Sequence, residues 1–290
     1  MPQSVGRLER LSFATGDVGF NFVWQSIELY LFYFYVRVLD LHPGVAATIF
    51  LAGAVVDWVT DPMIGFVADR LSPRLSLRSW VAIGGPLSGV ALALAFSQLR
   101  GDGAGFMASV IGLHVLLRFL YSVGNIPYAA LTARISDDPD EHLRLTGLRL
   151  QGAALGGLIA TGIYALLPAQ DGAGSDFRLG AWILAAASVP AFLTTALGVR
   201  ERVALRRVEK SKVARTGLIF VRSRPLRRLL ATILAAGLAI TVLNKSILFL
   251  FDAVGAANWG FVAALLPSLS LLVTVPIWRR LASRSGARAA

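Results

Sequence analysis

The chain contains no cysteine, so neither a disulfide framework nor a thiolate metal site is available to it, and cysteine usage leaves its redox compartment open. Charge is scarce as well. Only 16% of the 290 residues are charged, against roughly 25% in soluble domains. With 56% of residues hydrophobic, water is the wrong solvent for this chain. A cleaved signal peptide is also missing: the first apolar stretch is too long and too aromatic for one, and no small-residue cleavage site follows it.

What is present is a series of long apolar blocks. Twenty such residues in a helix, rising about 1.5 Å each, cross the roughly 30 Å hydrocarbon core of a bilayer. Eight blocks qualify: Ser12 to Leu39, Val45 to Ala68, Trp80 to Leu99, Phe106 to Ala133, Thr146 to Leu167, Leu179 to Val199, Leu226 to Phe251 and Asn258 to Leu281. The expectation is an all-α membrane protein with about eight transmembrane helices.

Lysine and arginine outnumber the acids 28 to 17, for a net charge of +11, and their location decides what that means. Arg7 and Arg10 precede the first block, Arg70, Arg74 and Arg78 lie between the second and third, and Arg134, Arg144 and Arg149 cluster between the fourth and fifth. Eleven more basic residues fill the stretch from Arg200 to Arg228, and Arg279, Arg280, Arg284 and Arg288 follow the last block. The alternate connections carry only Arg37, Arg100 and Arg178. This positive-inside asymmetry places both termini in the cytoplasm, in a bacterial inner membrane, and makes the lipid bilayer rather than nucleic acid the partner of the charge.

Short turn-forming connections, Leu41-His42-Pro43-Gly44 and Gly101-Asp102-Gly103, make neighbouring spans antiparallel. The polar stretch 200–225 reads as a cytoplasmic linker between a six-helix bundle, 1–199, and the first two helices of a second bundle, 226–290. A weak repeat supports that division, since a shift of 214 residues lays Pro62 on Pro276, Arg70 on Arg284 and the first block on the seventh. A full second copy would bring the total to about twelve spans. On this reading the chain is C-terminally truncated, monomeric, and open to being inactive.

Ionisable groups at mid-bilayer cost at least about 2.5 kcal/mol each on insertion scales, so every one calls for a functional reading. Asp17, Glu28, Asp57, Asp61, His114, Arg118, Lys245 and Asp252 fall inside the blocks. Asp57 and Asp61 are four apart, which puts both carboxylates on one helix face, one turn above the other. Two such groups either share a proton or hold a cation between them, and Thr60 on the same turn adds an oxygen ligand suited to Na+. The alternative is a structural pair held by Arg118. Asp17 and Asn21 repeat the spacing in the first block, while His114, Arg118, Ser122 and Asn125 line a stripe of the fourth. Facing one cavity, these stripes offer the mixed donors and acceptors that a polyhydroxylated ligand needs. Alone, His114 reads as a packing histidine. Tyr30, Phe32, Tyr33, Phe34 and Tyr35 read as an interfacial aromatic belt. Asn125-Ile126-Pro127-Tyr128 interrupts the fourth span, as helices bordering transport sites often are, and brings Tyr128 into the candidate substrate set. Glu28 is the acid placed to pair with Lys245.

Four segments carry a family resemblance: GDVGFNFVWQSIELYLFYFY (16–35), VDWVTDPMIGFVADR (56–70), LLRFLYSVGNIPYAALTARIS (116–136) and PIWRRLASRSGAR (276–288). Through them the chain resembles the glycoside-pentoside-hexuronide:cation symporters of the major facilitator superfamily. The resemblance implies alternating access between two bundles, with a sugar or glycoside and Na+ or H+ moving together and no other cofactor. It implies a cation site at Asp57, Thr60, Asp61 and Ser122, sugar contacts at Asn21, Asn125 and Arg149, and a cytoplasmic gate braced by Gly65, Asp69 and Arg70. Asp17, Arg118 and Tyr128 complete the substrate set, and catalytic residues are not expected. The family's melibiose permease has aspartates where this chain has Asn21 and Asn125 and a tryptophan where it has Ala129, so melibiose is not the expected substrate. A lysolipid carrier of the same fold is the second reading, favoured if the cavity is mainly apolar. A membrane prenyltransferase would need a second aspartate-rich helix, and the sixth block has no acid.

Overall fold

The computed structural model describes residues 5–167, 175–203 and 223–285. Most of the expected linker and the last five residues lie outside that range, as do the side chains of the closing arginines. Among the described residues there are helices and no strands. The helices are α1 (Arg7–Gln25), α2 (Pro43–Leu71), α3 (Leu77–Ala95), α4 (Gly103–Ile135), α5 (Pro139–Leu166), α6 (Ser175–Gly198), α7 (Arg224–Ala253) and α8 (Ala257–Ser285). Each apolar block has its helix. Six of them, α2, α3, α4, α6, α7 and α8, are long and apolar enough throughout to cross a membrane. The other two, α1 and α5, are the most polar, because they carry Asp17 and Arg149 as well as charged first turns.

Local chemistry sets the helix starts. Pro43 opens α2 with the fixed φ that a first helical turn requires, and the His42 ring nitrogen caps it by accepting from the Gly44 N–H at 3.1 Å. At α5, Pro139 follows an Asp138 cap whose carboxylate accepts from the Asp140 N–H at 3.0 Å, and Asp140 and Glu141 complement the dipole in the first turn.

Helix α1 is central, packed against α5 and α6 and touched by α3 and α4. Around it α3 packs on α4 and α6, α2 on α4, and α8 on α5 and α7. Lipid tails give no hydrophobic drive between helices, so small residues that allow close backbone approach decide these contacts. A Cβ on Gly156 of α5 would lie 2.6 Å from the Val18 carbonyl of α1. One on Gly84 of α3 would lie 2.5 Å from the Gly124 amide of α4. The outer surface is apolar, with Trp58 and Phe66 of α2 and Ile233, Leu234 and Leu238 of α7 all exposed, as side chains facing hydrocarbon are.

Beyond Gln25, α1 continues as two π-helical turns, Ser26–Leu31 and Phe34–Val38, with no proline in either. Helix α4, by contrast, runs through Pro127 without interruption. The irregular backbone therefore lies in the first span rather than the fourth. The aromatic belt is corrected too: Tyr30, Phe34 and Tyr35 are fully buried and Phe32 and Tyr33 half-buried, in ring contact with Phe50, Phe96, Tyr164, Phe177, Phe249 and Phe261. The reason is topological, because a helix surrounded on several sides has little lipid face on which to display a belt.

Candidate functional site

A cavity of about 330 Å³ lies between α1, α2 and α4, lined by Asp17, Asn21, Trp24, Asp57, Asp61, Arg118, Tyr121, Ser122, Asn125 and Ile126. Three- and four-residue spacings place each contributing set on one helix face. Asp17 and Asn21 come from α1, Asp57 and Asp61 from α2, and Arg118, Ser122 and Asn125 from α4. The sequence stripes thus meet at one cavity.

On one wall Asp17 is saturated. Its carboxylate accepts from Arg149 Nε at 2.8 Å and from the Tyr128 hydroxyl at 2.7 Å. The same hydroxyl lies 2.7 Å from the Phe13 carbonyl, and the Arg149 guanidinium lies over the Tyr128 ring, 4.8 Å from its centre. Tyr128 is fully buried and Arg149 is not part of the lining. These two residues stand behind the cavity and hold Asp17, rather than facing its interior. Asn21 donates to the Asp17 carbonyl at 2.9 Å, which fixes the amide and leaves its side-chain oxygen free of that bond.

The opposite wall is less complete. Arg118 of α4 pairs with Asp57 of α2, and its guanidinium lies 5.2 Å from the centre of the Trp24 ring. Asp57 Oδ1, Asp61 Oδ1, the buried Thr60 Oγ1 and Arg118 Nε all lack a hydrogen-bond partner. Orphaned buried polar atoms are uncommon in folded proteins, and here four gather on α2 and α4 around one ion pair. Three of them are oxygens, the ligand type that hard cations select, and the Ser122 hydroxyl lines the same cavity.

Elsewhere, His114 is buried, 3.3 Å from the Tyr35 hydroxyl and in edge contact with Phe50, as a packing histidine would be. Lys245 of α7 reaches Glu28 at 3.4 Å and donates to the Ile27 and Glu28 carbonyls at 3.0 and 2.9 Å. Those carbonyls belong to the first π-helical turn of α1. Arg37 and Asp252 pair at 2.5 Å further along the same two helices. Gly65 is half-buried, while Asp69 and Arg70 are exposed at the end of α2 and neither is paired with another described residue.

The end of the bundle where α1 begins is instead fastened by pairs that sequence reading missed. Arg10 grips Glu141 through two bonds of 2.6 and 2.7 Å, and Arg202 grips Glu9 through two of 2.7 Å, joined by the Arg200 N–H at 2.8 Å. Glu201 accepts from Arg134 and from the Arg78 N–H, both at 3.3 Å. Their signal was available: Glu9, Glu141 and Glu201 are acids stationed at span ends among arginines.

Comparison with known proteins identifies the family. A family model described as MFS/sugar transport protein matches residues 12–290. The chain belongs to that family. Among its relatives, the Inner membrane symporter YicJ of Escherichia coli (strain K12) is 32% identical over 154 residues, 53% of this chain and 34% of its own length. The Isoprimeverose transporter of Lactiplantibacillus pentosus is 25% identical over 217 residues, 72% of this chain and 45% of its own. The Sodium-dependent lysophosphatidylcholine symporter 1 of Xenopus tropicalis is 26% identical over 164 residues, 56% and 31% respectively. The matches therefore cover between about a third and a half of these relatives' length. They bear out the likeness to the glycoside-pentoside-hexuronide:cation symporters, in a family of transporters, and the chain is an integral membrane protein of the major facilitator fold.

Proposed function

We propose that the chain carries the solute and cation site of a secondary active transporter that moves a sugar or glycoside together with Na+ or H+ by alternating access. The observation that carries this reading is the cavity, where the α2 carboxylates Asp57 and Asp61 and the Ser122 hydroxyl of α4 adjoin the amides Asn21 and Asn125 and the aromatic Trp24 and Tyr121. Asp57, Thr60, Asp61 and Ser122 would hold the cation. Asn21, Asn125 and Arg118 would bond the solute hydroxyls, with Asp17 positioned by Arg149 and Tyr128. The protein is not an enzyme on this reading, and both termini face the cytoplasm of a bacterial inner membrane. Gly65, Asp69 and Arg70 keep their proposed place at the cytoplasmic gate, beside the glutamate clamps. The second reading, a lysolipid carrier, is supported by one relative's name but opposed by the lining, in which Ile126 is the sole aliphatic side chain among the described residues.

The test is uptake of labelled glycosides, pentosides and hexuronides into proteoliposomes under imposed sodium or proton gradients. Asp57→Asn and Asp61→Asn should each remove the gradient dependence while leaving the protein inserted. Gradient-driven uptake that survives in both variants would sink the assignment of this pair.

A further inference from the structure

The cation site proposed above already contains a positive charge of its own. Arg118 is held to Asp57, its side chain is 12% exposed, and it lines the same cavity as Asp61 and Ser122. Guanidinium does not deprotonate in proteins, so this charge is permanent. Two carboxylates against one guanidinium leave the site with one net negative charge. A single monovalent cation closes that gap.

The pair is also built differently from a structural strut. Asp17 shows what a strut looks like in this cavity: both neighbours bond its carboxylate, and neither residue appears among the orphaned atoms. At Asp57 one carboxylate oxygen is unpaired, as are Arg118 Nε, Asp61 Oδ1 and Thr60 Oγ1. A cation drawn to the orphaned oxygens must share Asp57 with the guanidinium. The guanidinium is not fully committed to Asp57, because its Nε lacks an acceptor, and the Trp24 ring, 5.2 Å away at its centre, stabilises its charge independently of that pair.

We propose that Arg118 is a resident counter-charge that competes with the coupling cation for Asp57, so that cation entry turns the guanidinium off Asp57 and toward the oxygens of the solute. This rests on the symport reading and deepens it: one side chain links occupancy of the cation site to the donors that the solute meets. Cation and solute then favour the same rearrangement, which is the condition for positive coupling between two ligands.

The experiment is a sodium chloride titration of the purified chain in nanodiscs, with choline chloride as control, followed by calorimetry and by tryptophan emission. The wild type is compared with Trp24→Phe, Arg118→Gln, Arg118→Lys and Asp61→Asn. Removing a unit charge beside the site should tighten sodium binding roughly tenfold or more in Arg118→Gln, while Arg118→Lys stays near the wild type. Sodium should also shift the wild-type emission, and Trp24→Phe should abolish that shift. If Arg118→Gln does not fold, the emission shift decides alone, because sodium binding seen by calorimetry without a Trp24-dependent signal overturns the proposal. Equal or weaker sodium affinity in a folded Arg118→Gln overturns it too, and so does sodium binding by neither protein. In the first two cases loss of binding in Asp61→Asn would leave the symport reading standing. That reading is otherwise decided separately by the gradient-driven uptake above.

Discussion

The Asp17–Arg149 pair and the Asp57–Arg118 pair face each other across one cavity, and each joins an aspartate to an arginine on another helix. They differ in completeness. Around Asp17 a tyrosine hydroxyl and a second guanidinium nitrogen use the remaining capacity of the carboxylate. Around Asp57 the neighbouring oxygens and the arginine Nε have no partners. A buried ion pair is tolerated when hydrogen bonds replace the lost water. The lesson is that a saturated pair fixes helices in place, whereas an unsaturated one is poised to exchange partners.

The comparison breaks most easily at Arg149. Arg149→Ala strands a buried carboxylate beside Tyr128 alone, and a loss of about 3–5 kcal/mol is expected, read as a fall in the melting temperature of the detergent-solubilised protein. A melt equal to that of the wild type would show that the pair is not a strut. Tyr128→Phe removes the hydroxyl that meets both Asp17 and the Phe13 carbonyl, and should cost about 1–3 kcal/mol in the same assay. Asp61→Asn sharpens the contrast from the other side. It removes an unpaired carboxylate, so the melt should drop by no more than about 1 kcal/mol, or rise, even as gradient-driven uptake is lost. The smallest effect belongs to Glu9, which precedes the first apolar block. Burial pushes its carboxyl up, but hydrogen bonds from the Arg202 side chain and the Arg200 N–H outweigh that and hold it below the usual range. A depressed folded value contributes stability above the unfolded value of about 4.3 and loses it as pH falls through the folded one. Melts taken at neutral pH and near pH 3 should therefore differ more for the wild type than for Glu9→Gln.

The eight helices were legible because the cost of placing polar backbone and charge in hydrocarbon leaves long apolar blocks. The first shows the limit of that signal: Ser12 to Leu39 was one block, and the structure divides it at Gln25 into an α-helix and π-helical turns. The cavity was legible as well. Spacings of three and four mark a helix face, so Asp17 with Asn21, Asp57 with Asp61, and Arg118 with Ser122 and Asn125 could be grouped before their helices were brought together. Partner choice was only half visible. Arg118 could be named as a partner for the Asp57 and Asp61 pair, but separations such as the 132 residues between Asp17 and Arg149 leave no local trace. Residue type alone also could not say that Tyr128 supports the cavity from behind, or that the tyrosines of α1 face inward.

The π-helical turns of α1 have a consequence for how this chain tolerates changes of length. Each such turn accommodates one more residue than an α-helical turn would. Deleting a single residue between Ser26 and Leu31 should let that turn relax to α-helix, while everything beyond it keeps close to its present facing. Tyr35 and Arg37 would stay with His114 and Asp252, and the aromatic face would stay turned inward. A one-residue deletion here is therefore absorbed by the turn, whereas the same deletion in the regular helix before Gln25 would rotate everything beyond it by about 100°.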